Sequence, residues 1–145
     1  MRRKRKELKV LFNASVVLAG LKSPSGASGE LIKRVRAQEL AGVVSELILE
    51  EVERHADKIG LSAEEIQGKV ESIFEVCSAP EEGVVERYKL VVTDFGDAHV
   101  LASAIEEKCG LLVSLDKKHI LILKGRVEKL RIVTPGELLQ KLNLT

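Results

Sequence analysis

The chain contains no tryptophan, one tyrosine and three phenylalanines in 145 residues. A surface that holds single strands by stacking bases wants more exposed rings than this, so that mode of binding is disfavoured. Its two cysteines, Cys77 and Cys109, stand far apart, with no Cys-x-x-Cys pair and no Cys/His grouping at zinc spacing. They read as small, reduced core residues of a cytosolic protein. No apolar run approaches the ~20 residues that span a bilayer. The charged N-terminus is not followed by the apolar stretch of a signal peptide, so the expected location is the cytoplasm, with no membrane partner. Phosphate loops are missing too: Gly26-Ala27-Ser28-Gly29 lacks the lysine of a Walker motif, and Gly-x-Gly-x-x-Gly does not occur. Nor is one sign of charge in excess. With 23 basic and 22 acidic residues the net charge is +1, and only local distribution can speak about nucleic acid.

What is present is an ordinary globular composition, 45% hydrophobic and 31% charged, long enough for one well-filled core. A basic run, Arg2-Arg3-Lys4-Arg5-Lys6, marks residues 1–7 as a tail and leaves 8–145 as a single domain. The run reads either as an electrostatic arm for phosphates or as a solvated terminus. Apolar segments alternate with amphipathic ones. Residues 8–12, 41–44, 111–115 and 131–133 read as strands, and 88–92 as a short extended piece. Helical spacing runs over 30–40, from Ser45 to near Gly60, from a capping box at Ser62 and Glu65, over about 97–108, and after Thr134-Pro135. Strands separated by helices predict a three-layer α/β/α sandwich around a mainly parallel sheet.

In such sheets ligands sit beyond the carboxyl ends of the strands, where strand order reverses. There the chain places Asn13 after its first strand and Glu51 on the helix after its second. Asp94 and Asp97 stand at the start of the next helix, and Asp116 follows residues 111–115. Gathered carboxylates repel one another unless a cation lies between them, which points to Mg²⁺ or Mn²⁺ held by oxygen ligands. Each acid has a plainer reading as well. Asp94 and Asp97 are spaced to cap a helix, Glu51 lies on a charge-rich face, and Asp116 suits a turn. Among the histidines, His55 is four residues beyond Glu51, His99 points away from Asp97, and His119 is three beyond Asp116, where it could touch substrate.

At these residues the chain resembles the PIN-domain family of metal-dependent nucleases, over about residues 9–142. That family opens with a strand running into Asp-Thr-Asn-Val, matched here by Asn13-Ala14-Ser15-Val16. A Ser followed by a Glu-bearing helix is matched by Ser45 through Glu51. The doubled acid before an apolar helix is matched by Asp94-Phe95-Gly96-Asp97-Ala98, and a strand ending in Thr/Ser-x-Asp by Ser114-Leu115-Asp116. The resemblance implies Glu51, Asp97 and Asp116 as catalytic, metal-holding acids, with Asp94 as an accessory ligand. Asn13 occupies the first ligand position, and Ser114 is implied as a hydroxyl that orients the site and meets substrate.

The departure lies in the first motif, where an acid has become Asn13. An amide oxygen can coordinate Mg²⁺ but brings no charge and cannot act as a base. The leading expectation is a ribonuclease that hydrolyses phosphodiesters with metal-activated water, Lys117 and Lys118 holding the RNA backbone. A second is a degenerate domain that binds RNA or protein without cutting. The third is a protein-interacting unit, bound by an antitoxin or paired as a homodimer through apolar positions of 31–40 or 59–76.

Overall fold

Val10, Leu11 and Phe12 are fully buried, and so are Val43, Val44, Leu112 and Val113. Continuous apolar burial of this kind belongs to strands covered on both faces. The computed structural model describes residues 8–143. In it the strands are β1 (Lys9–Phe12), β2 (Ala41–Ser45), β3 (Glu75–Cys77), β4 (Leu111–Val113) and β5 (Arg131–Val133). They form one sheet, parallel throughout, in the order β3-β2-β1-β4-β5. Helices α1 (Ala14–Lys22), α2 (Ala27–Arg36), α3 (Glu46–Arg54), α4 (Ala63–Ile73), α5 (Glu82–Tyr88), α6 (Ala98–Glu106) and α7 (Pro135–Asn143) accompany the strands. Right-handed crossovers put α1 to α4 on one face, and the return from β3 to β4 puts α5 and α6 on the other. Accordingly α1 to α4 and α7 pack among themselves while α5 packs on α6. This is the expected three-layer sandwich.

Local chemistry sets the element ends. Ser45 Oγ accepts the Ile48 N–H at 3.1 Å to start α3. Ser62 and Glu65 form a reciprocal capping box at α4. The helix expected to run to Gly60 instead ends at Arg54, and a 3-10 turn over Ala56–Ile59 carries the chain to Gly60 in the left-handed conformation. Residues 88–92 are not extended. Val85, Tyr88, Val91 and Val92 fall at helical spacing, and α5 ends in a turn that lays this stripe against the core. Strand β3 was not foreseen, being three residues long and at the sheet edge.

One further expectation changes. Leu31, Ile32, Val35, Leu40, Ile66 and Val70, considered as a partner-binding surface, are all buried core. The basic run lies outside the described residues, while Lys9 just beyond it is tied to Glu107 at 3.7 Å. Both cysteines are free and buried, and burial pushes the Cys77 thiol to about 11 and that of Cys109 to about 12, so neither is a ready nucleophile. Among the described residues no helix is long and apolar enough to cross a membrane.

Candidate metal centre

Strand order reverses between β1 and β4. From β1 the chain steps outward through β2 to β3, and it then returns to the other side of β1 to place β4 and β5. The carboxyl ends of β1 and β4 therefore flank the position where α/β sheets hold ligands. Phe12 pairs with Val113, so Asn13 and Ser114 emerge side by side. The ladder continues past both strands, with Asn13 N–H donating to Val113 O and Ser114 N–H to Val133 O, each at 3.0 Å.

Asn13 is buried and its amide is fully oriented. Its Oδ1 accepts the Ala14 N–H at 3.0 Å, which caps α1. That donor fixes which end of the amide faces it, and Nδ2 therefore donates to Ser114 Oγ at 2.8 Å. Ser114 Oγ also accepts the Asp116 N–H at 3.0 Å. Ser114 has no exposed surface. Its expected contact with substrate is thus corrected: the hydroxyl is occupied in joining the β1 end to the loop after β4. Ser15, on the first turn of α1, helps in the same way, its Oγ accepting the Leu115 N–H at 3.1 Å.

The loop from Asp116 to His119 is wound around one carboxylate. Asp116 Oδ1 accepts the N–H groups of Lys118 at 3.1 Å and His119 at 3.0 Å, while Oδ2 lies 3.3 Å from His119 Nδ1. His119 faces the acids at the start of α6. One ligand atom from each of Asp94, Asp97 and His119 lies within 4.8 Å of the others. Asp94 caps the short 3-10 turn over Phe95–Asp97 through the Gly96 N–H at 2.9 Å, so the plainer capping role applies to it. The Asp97 side chain makes no capping hydrogen bond. Its carboxyl is pushed up to about 6, first by burial and then by the charges of Asp116, Asp94 and Glu51, with His119 opposing.

Glu51 thus acts on Asp97 through charge alone. His55 turns to the Glu51 backbone carbonyl at 2.9 Å rather than to its carboxylate. Lys117 and Lys118 are exposed on the Asp116 loop. The expected acids are brought to one sheet edge, but on an open surface. Two clefts lie elsewhere, one of about 770 Å³ along β5 and α7 and one of about 410 Å³ between the α1–α2 turn and the start of α7.

A sequence model described as PIN domain matches residues 9–118, most of the chain and every site residue named above except His119. The chain belongs to the PIN domain family. Two solved structures share the fold. Protein PAE2754 from Pyrobaculum aerophilum aligns over 95% of this chain and 91% of its own, at 20% identity and a TM-score of 0.65. VapC20 of Mycobacterium tuberculosis, described as a sarcin-ricin loop cleaving toxin, aligns over 74% of this chain and 89% of its own, at 17% identity and a TM-score of 0.55. No curated protein sequence matches the chain. PIN domains generally use divalent metal ions, and the donor set here fits one: carboxylate oxygens with a ring nitrogen, around an acid that lacks a capping partner.

Two participants were not singled out as site residues from sequence. The sequence offers His119 only as a residue that could touch substrate, and Ser15 only as part of the first motif. The i+3 spacing of Asp116 and His119 was the available signal for the first. Nothing in the sequence signalled the second, because its partner is a backbone amide 100 residues away.

Proposed function

We propose that this PIN domain is a divalent-metal-dependent ribonuclease working at the carboxyl ends of β1 and β4. The observation that carries the reading is the approach of Asp94, Asp97 and His119 beside Asp116 at the strand-order reversal. Asp94 and Asp97 would hold Mg²⁺ or Mn²⁺, with Glu51 adding negative charge and Asn13 at most an amide oxygen. Such an ion supplies a water of lowered pKa and neutralises charge on a phosphodiester. Lys117 and Lys118 would hold the backbone phosphates against this edge. RNA as substrate is supported by the nuclease family and by the RNA-cleaving toxin among the similar folds.

The test is cleavage of single-stranded RNA in Mn²⁺ or Mg²⁺. Metal-dependent cutting that is lost in Asp97→Asn is expected. Metal-independent cutting, or cutting unchanged in Asp97→Asn, would rule the site out.

One observation favours a second reading, a module that binds RNA or protein without cutting it. The Asn13 amide donates to Ser114, where a carboxylate would instead have accepted, so the site lacks one charge. Binding of RNA with no cleavage at any metal concentration, in wild type and in Asn13→Asp alike, would establish it. The proposal also includes an antitoxin-type partner and a homodimer. Exposed Phe95 and Leu115 offer apolar surface beside the acids. A chain that sediments as a monomer at all concentrations would remove the dimer.

A further inference from the structure

We infer that His119 is itself a ligand of the divalent ion, together with Asp94 and Asp97, while Asp116 orients the imidazole, so that the site takes Mn²⁺ in preference to Mg²⁺. The inference rests on the proposed metal site and changes its donor set, expected from sequence to be oxygen atoms alone.

The hydrogen bonds of Asp116 supply the argument. Its Oδ1 already receives two backbone N–H groups, and Oδ2 faces His119 Nδ1 at 3.3 Å. A carboxylate is acceptor-only, so this contact is attractive when Nδ1 carries the proton. In the neutral ring the lone pair then lies on Nε2. A histidine whose second nitrogen donates to a carboxylate is the usual arrangement behind a metal-ligating imidazole, because the contact fixes both tautomer and ring orientation.

The main chain reinforces it. Two N–H groups on Asp116 Oδ1, and the Ile120 and Leu121 N–H groups on Asp116 O, lock the turn that carries His119. The turn is anchored in addition by Ser114 Oγ on the Asp116 N–H. The turn therefore carries the imidazole beside Asp94 and Asp97, and the Asp116 carboxylate gives the ring a partner there.

Charge and softness point the same way. Two carboxylates and a neutral imidazole balance a divalent ion without any charge from Asn13. Imidazole suits first-row transition ions, whereas Mg²⁺ prefers an all-oxygen shell and keeps most of its water. Of these two ions, a nitrogen ligand thus favours Mn²⁺ over Mg²⁺.

The experiment is Mn²⁺ binding to the full chain, followed by electron paramagnetic resonance with electron spin-echo modulation. Modulation from a directly bound ¹⁴N is expected, and it should convert to the ¹⁵N pattern when histidine alone is ¹⁵N-labelled, with no substitution needed. His119→Ala should lose the modulation, weaken Mn²⁺ binding by about 10- to 100-fold and leave Mg²⁺ binding nearly unchanged. His55→Gln should retain the signal, which assigns it to His119. Mn²⁺ bound without nitrogen modulation, and equally well by His119→Ala, overturns the role of His119 while the metal site stands. A chain that binds no Mn²⁺ at millimolar concentration overturns the metal site and this inference together.

Discussion

The amide at position 13 and the carboxylate at position 97 control the charge of the site from opposite directions. Asn13 is held by the Ala14 N–H on one side and Ser114 on the other. Asp has nearly the same shape, and Asn13→Asp keeps the cap on Ala14 while Ser114 turns its hydroxyl proton to donate. Divalent ions should bind about 10-fold tighter to this variant, as read by calorimetry, and RNA cleavage should rise. Adding Asp97→Asn should erase the gain, because ligands that act as a unit do not add. Asp97 itself is raised from 3.8 to about 6, chiefly by burial. A raised carboxyl makes its charged form unfavourable in the folded chain, so its contribution to stability improves as pH falls from about 6 towards 3.8. At pH 7 without metal, Asp97→Asn should therefore stabilise the fold by about 1 kcal/mol, solvent screening having reduced the full effect of the shift. Urea unfolding of both proteins at pH 7 and pH 4.5 checks this: the advantage of the variant should shrink at the lower pH. An advantage that grows there would contradict the assignment.

Among the elements, α2 lies directly against the turn that leads into it. A Cβ added at Gly29 would come within 2.6 Å of the backbone of Pro24, which cannot move aside like a side-chain tip. Gly29→Ala should cost on the order of 2 kcal/mol as overpacking. Gly68, inside α4, has nothing within 4 Å of the same position, and Gly68→Ala should stabilise by about 0.5–1 kcal/mol through helix propensity. Thermal melts of the two variants should move in opposite directions. The capping box of α4 was legible because it is local: Ser62 and Glu65 satisfy each other within one turn. Strand β3 was not, since of Glu75, Val76 and Cys77 only Cys77 is buried and no alternation can show in three residues. The 88–92 segment misled because a short apolar run suits strand and helix equally. Packing of α5 on α6 ends the helix at Tyr88 and leaves the rest of the segment in a turn, and the decisive neighbours are distant in sequence.

For the whole molecule, the proposed site joins pieces that folding alone brings together: the end of β1, the start of α6 and the loop after β4. An ion that binds this assembled edge and not the unfolded chain stabilises the fold by linkage. At 100 times its dissociation constant the gain is about 2.7 kcal/mol. For a chain of this size that is a rise in Tm of about 5–15 °C. Calorimetric scans with and without Mn²⁺ should show the rise in wild type and lose it in Asp97→Asn. An equal rise in both would place the ion elsewhere.

The sequence by itself determined the alternation of strands and helices, hence the parallel three-layer sheet, because buried strands and capped helices advertise themselves within a few residues. It also determined that Asn13, Asp94, Asp97 and Asp116 follow strand ends or begin a helix, since those positions are fixed by the same local pattern. Only the tertiary structure decided how these residues divide their work. Ser114 is sealed in by Asn13, which is 101 residues away in sequence. Asp116 spends its oxygens on its own turn and on His119, and His119 comes to Asp94 and Asp97 across the sheet edge. Hydrogen-bond capacity is consumed by whichever partners the fold supplies, and a residue's type alone does not state how much remains for a ligand.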